Sequence, residues 1–139
     1  MIRAAIGMVM PDWTVKAIGL HDFGLDGPGA NKILVNHYNQ REKVEELLNL
    51  GTLLSLGPQI DHDPNMFLPS RNIPLTNVTV AYHRDYGDPY TPPVTFESEL
   101  HYYANAWDVF GAEFIFLFED GSWFETCIYK GELLNWIKI

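Results

Sequence analysis

The chain has 139 residues, 47% of them hydrophobic and 14% aromatic, which excludes intrinsic disorder and fits one domain, residues 1–139, with a sizeable core. Lys and Arg number 9 against 18 Asp and Glu, for a net charge of −9, so a nucleic-acid backbone is disfavoured as a direct partner. No stretch holds the ~20 consecutive apolar residues of a membrane span, and the single Cys127 excludes an internal disulfide and a multi-cysteine zinc site, as expected of a cytoplasmic protein.

In chain order, Ile2, Ala4, Ile6, Met8 and Met10 alternate as one face of a strand, a turn at Pro11-Asp12 follows, and Trp13 to Leu20 forms the second strand of a hairpin. The N-terminal run has one charge and no convincing cleavage site, so it reads as a strand and not as a signal peptide. His21 to Gly29, with three glycines and a proline near its end, is a loop suited to a site. Pro28 precedes a helix to about Tyr38. Asn39, with Glu42 three positions on, predicts a capping box for a second helix that ends at Leu50 before Gly51 and buries Val44, Leu47 and Leu48. From Thr52 to Asn77 periodicity fades and prolines punctuate a long excursion. Val78 to Arg84 reads as a strand, stopped by Asp85-Tyr86-Gly87-Asp88-Pro89. Phe96, Leu100, Tyr103 and Trp107 recur at helical spacing, which predicts a buried helix face closed by Gly111. Asp120-Gly121 between two apolar runs predicts a second hairpin, and the last residues predict a short helix or an edge strand. The expected fold is therefore α+β: an antiparallel sheet of two hairpins plus the Val78 strand, covered by about three helices.

Phe114 to Phe118 are apolar on both faces, so this strand is either central in a sheet covered on both sides or half buried in a subunit contact, the latter giving a homodimer through the closing hairpin. Cys127, mid-strand, reads as a core residue and not as a nucleophile. The histidines lack the spacing of a metal site, no serine sits in a nucleophile elbow, and the Gly27-Pro28-Gly29 segment lacks the ending of a phosphate loop. No catalytic residue, metal or cofactor is assigned. Tyr82-His83-Arg84-Asp85-Tyr86 is the most unusual polar cluster. Arg84 serves there either as a permanent positive fork for an anion or as a surface partner of Asp85, Asp88 or Glu97. The predicted ligand site joins His21, Asp22 and Gly24 of the loop to Tyr82, His83, Arg84 and Asp85 at the strand end, with Arg84 expected to be exposed and dispensable for folding.

Ile18-Gly19-Leu20-His21-Asp22-Phe23-Gly24, Asn36-His37-Tyr38-Asn39, Ala81-Tyr82-His83-Arg84-Asp85-Tyr86-Gly87-Asp88 and Phe116 to Phe124, taken in order, resemble a family of small acidic bacteriophage proteins of uncharacterised function. His21, Gly24, His83, Arg84 and Asp85 match that family's pattern; Asp22-Phe23 stands where Trp-Asp would be, and Tyr86 where an arginine would be. The resemblance implies a phage accessory protein in the host cytoplasm that inhibits an antiviral defence. The expected mode is binding without chemistry, to a small anionic or nucleotide signal or to a defence protein. Two further readings are an acidic protein-surface or DNA-mimic inhibitor of a nucleic-acid-binding host enzyme, of anti-CRISPR or anti-restriction type, and a small hydrolase acting on a nucleotide.

Overall fold

The computed structural model describes residues 3–22, 29–61, 78–128 and 135–139. The first hairpin forms, with its second strand starting at Val15 because Trp13 joins the turn at φ 70°: β1 (Ala4–Val9) pairs antiparallel with β2 (Val15–Leu20) in the register Ala4 to Leu20. So does the closing one, β6 (Phe114–Glu119) with β7 (Ser122–Cys127). Asp120 and Gly121 both take positive φ, 50° and 77°, the left-handed pair that matches a two-residue turn to the twist of the strands.

The sheet these hairpins build is not the antiparallel α+β sheet expected. β1 and β6 lie side by side in parallel, Ala4 opposite Phe114, so the two hairpins fuse through their first strands. β3 (Leu53–Ser55) then adds parallel to the end of β2 at Leu20, within what the sequence reads as an excursion. β4 (Val80–Ala81) pairs with β3, β5 (Val94–Phe96) with the first half of β2, and β8 (Ile137–Lys138) is an edge strand on β7. The result is a mixed eight-stranded sheet in the order β4-β3-β2-β1-β6-β7-β8, with β5 beside β2. The long separation between β1 and β6 accommodates the crossover that a parallel pair requires.

Helices cover both faces. α1 (Ala30–His37) and α2 (Arg41–Leu48) pack Ile33, Leu34, Val44, Leu47 and Leu48 against Ala4, Ile6, Met8, Phe116 and Phe118. On the other face α4 (Glu99–Phe110) sets Tyr102 and Ala106 against Ala5, Val15, Ala17, Ile115 and Leu117. The doubly apolar run Phe114–Phe118 is thus central and covered from both sides by its own chain, and the argument it gave for a homodimer falls away. Gly7 makes room there: a Cβ would sit 3.0 Å from the Tyr102 ring, so a larger residue would require the ring to shift by a few tenths of an ångström. Burial pushes the Tyr102 phenol well above its usual range, and its hydroxyl donates to the Phe116 carbonyl at 3.0 Å.

Four local expectations change. The Asn39 capping box does not form: α2 starts after Gln40, which makes no side-chain cap, and Arg41 donates to the Val9 carbonyl at 3.3 Å, so the helix start is tied to the sheet. The Val78 to Arg84 strand stops at Ala81, and Tyr82–Tyr86 turns into a short helix, α3, closed by Gly87 at φ 73°. The predicted face of α4 points the wrong way: Phe96 is in β5, while Leu100 and Trp107 are 64% and 53% exposed. Ser98, which accepts from the His101 amide, fixes the helix start, and Tyr102 and Ala106 take the buried side. Cys127, at the end of β7, is half-buried and not a core residue.

Candidate functional site

The site predicted at the His21 loop and the Val78 strand divides into groups that meet and groups that do not. His21 follows β2 and extends its pairing with β3, its amide donating to the Leu53 carbonyl at 3.0 Å. Tyr82, first residue of α3, reaches across β3 from the other side, its amide on the Thr52 carbonyl at 3.3 Å. Their side chains join: His21 Nδ1 lies 2.7 Å from the Tyr82 hydroxyl, with ring centroids 5.0 Å apart. The Tyr86 ring continues the cluster, 6.4 Å from that of Tyr82. Burial, and secondarily Arg3, holds the His21 imidazole below its ordinary range, so the ring is neutral at pH 7.

Arg84 is not a free fork. Its Nε and Nη2 grip the Asp85 carboxylate at 3.0 and 3.1 Å, Nη1 donates to the Ile60 carbonyl at 2.7 Å, and Nη2 donates to the Thr79 carbonyl at 3.0 Å. Asp61 lies at 3.4 Å from Nη1. The Asp85 side chain is 6% exposed and also accepts the Ala81 amide at 2.8 Å. Every N–H of this guanidinium has an acceptor in the protein, so Arg84 and Asp85 are a clamp tying α3 to β4 and to the chain near Ile60. The pairing with Asp85 is one of the two readings open from sequence; the burial of the pair is not legible there, and the expectation of an exposed Arg84 is corrected. His83 points to a different neighbourhood, its Nδ1 2.7 Å from the Asp88 carbonyl and its ring 5.2 Å from that of Tyr90. Asp22, half-buried, donates its amide to the Leu54 carbonyl at 2.9 Å. Gly24 lies outside the described residues.

The cation beside His21 is instead Arg3. One step beyond the Ala4 to Leu20 pair, the hairpin register sets Arg3 opposite His21. The expected two-residue turn at Pro11-Asp12 would set Arg3 opposite Leu20; the turn instead takes in Trp13 at φ 70°, the Met10 amide closes on the Thr14 carbonyl, and only the structure gives this register. The Arg3 side chain runs beside Gly111, the left-handed cap of α4, and is exposed.

A second feature stands apart from the predicted site. Leu100, Ala104 and Trp107, at i, i+4 and i+7, are exposed along α4, with half-buried Tyr103 on their shoulder. α4 carries no Lys or Arg, and Glu97, Asp108 and Glu113 at or beside it are exposed. At its start Glu99 is pushed above the usual carboxylate range, by burial first and then by a hydrogen bond and repulsion from Glu119. Among the described residues no three His, Cys, Asp or Glu side chains converge as metal ligands, and no helix is long and apolar enough to cross a membrane. No protein-family model, curated protein or solved structure matches the chain.

Proposed function

We propose that the protein acts by binding, as an inhibitor that lays the outer face of α4 on a partner protein. One observation carries this reading: beside the buried Tyr102 and Ala106, α4 carries a second apolar row, Leu100, Ala104 and Trp107, that is exposed. The outer side of a surface helix is ordinarily polar, and an exposed tryptophan flanked by leucine, alanine and tyrosine has the composition of an interface anchor. The acidic surroundings select the partner. A second copy, also at −9, is repelled, whereas an apolar groove with a basic rim is attracted and steered. Nucleic-acid-binding enzymes carry such rims, and the resemblance to small acidic phage proteins supports a host defence enzyme as the target, with the inhibitor free in the host cytoplasm.

A photo-crosslinker placed at position 107 in cells under phage challenge tests this, with a second crosslinker at exposed Gln59 as control. The expected product is one basic host protein, captured from position 107 and not from position 59, together with loss of inhibition in Trp107→Ser at unchanged melting temperature. Crosslinks only to a second copy of the chain, or an active Trp107→Ser, overturn the reading.

A further inference from the structure

The sheet face served by α4 ends before the sheet does. Strand alternation places Arg3 with Ala5, and His21 with Ala17 and Gly19, on that face. The last turn of the helix covers Gly19, where a Cβ would lie 3.2 Å from Phe110. The chain then leaves at Gly111, whose Cβ position lies 3.6 Å from Arg3 Cδ and Nη1. Past that point stand Arg3, His21, Tyr82 and Tyr86.

Arg3 and His21 each keep a polar group that bonds to no other described residue. The Arg3 side chain makes no hydrogen bond or ion pair with another described residue, in contrast to Arg84. The Tyr82 hydroxyl occupies Nδ1 of the His21 ring at 2.7 Å, and Nε2 bonds to no other described residue; in the tautomer in which the hydroxyl donates, the ring proton sits on Nε2. Arg3 thus offers a charged fork and, in that tautomer, His21 a directed neutral donor from adjacent strands, with the tilted pair of Tyr82 and Tyr86 rings beyond them. We propose that Arg3 and His21 form a binding site for a phosphate group, held between the guanidinium and Nε2–H at the exposed end of β1 and β2. The oxyanion suits this pair because a guanidinium matches its geometry in a bidentate fashion. In a chain of net charge −9, a local cation of this kind is what lets an anion approach. The site is separate from the α4 docking face and stands or falls independently of it.

The test is an NMR titration of the His21 imidazole with inorganic phosphate and, in a parallel arm, with adenosine monophosphate and adenosine. Both phosphate-bearing probes should shift the His21 signals saturably by about 10 mM, above the millimolar affinity of a few-contact site, whereas adenosine should not. Arg3→Gln should weaken binding about tenfold or more, with the melting temperature retained, and His21→Gln should do the same when followed at the Tyr82 ring. Tighter binding of the nucleotide than of phosphate assigns an added contact to the nucleoside; equal binding assigns the site to the phosphate alone. Absence of a His21 shift with either phosphate probe, or undiminished binding by Arg3→Gln, overturns the proposal.

Discussion

α3 and the outer face of α4 use their side chains in opposite ways. In α3 the groups of highest intrinsic cost to bury, Arg84 and Asp85, are turned inward and matched donor for acceptor to Ile60, Thr79 and Ala81. On α4 the groups that gain most from burial, Leu100 and Trp107, are left at 64% and 53% exposure. The difference is one of supply. α3 closes over backbone carbonyls at the end of a two-residue strand, which must be satisfied by something. α4 rests on Gly7, Ala5 and Ala17, where the sheet gives space for one side of a helix only. A polar cluster can therefore be structural and an apolar stripe available for recognition.

The sharpest way to break this contrast is Arg84→Ala. It leaves the Asp85 carboxylate and two carbonyls without their donor, so a loss of about 3 kcal/mol is expected, read by chemical denaturation. Arg84→Lys should recover only part of it, since an ammonium cannot serve four acceptors in a plane. A near-neutral Arg84→Ala would return the residue to the surface role read from sequence. Next in size is Tyr82→Phe, which removes the bond to His21 and should lower stability by about 1 kcal/mol. No change there would mean that the aromatic contact alone joins β2 to α3.

pH supplies a third measurement. The His21 pKa is lowered in the folded state, by burial and then by Arg3, so below the unfolded value near 6.5 the unfolded chain binds more protons. Stability carried by neutral His21 is thus present above pH 6.5 and is lost as the pH falls through the folded pKa. Glu99 has the opposite sign: its raised pKa means that stability is greater while it is protonated and declines as the pH rises through the folded value. His21→Gln should flatten the first slope and Glu119→Gln the second; a His21→Gln profile identical to wild type would show that the ring titrates as it does unfolded. Smallest of all is Trp107→Ser, expected to change stability by no more than about 0.5 kcal/mol, against the several kcal/mol that a core tryptophan would lose. A large loss would place Trp107 in a contact within the fold.

The sequence by itself determined the local units. Alternation at Ala4 to Met8, the Asp120-Gly121 turn, the Val44, Leu47 and Leu48 stripe and the Gly111 stop all rest on short-range chemistry: pleat, twist, helical period and positive φ. It also brought the His21 segment and Tyr82 into one hypothesis, and their side chains touch. What only the tertiary structure decided is how these units are shared out. The parallel union of β1 with β6 depends on pairing across more than a hundred residues, which no local pattern encodes. An apolar period in α4 marks a face without saying whether the sheet or a partner takes it, so Tyr102 and Ala106, not Leu100 and Trp107, went inward. The choice between Arg84 and Arg3 was likewise settled at a distance: Arg84 meets carbonyls from Ile60 and Thr79 that fold around it, while the Arg3 side chain lies between the end of α4 and His21 with no hydrogen bond to another described residue. A side chain's chemistry sets what it can bind, and the partners the fold places within reach set what it does bind.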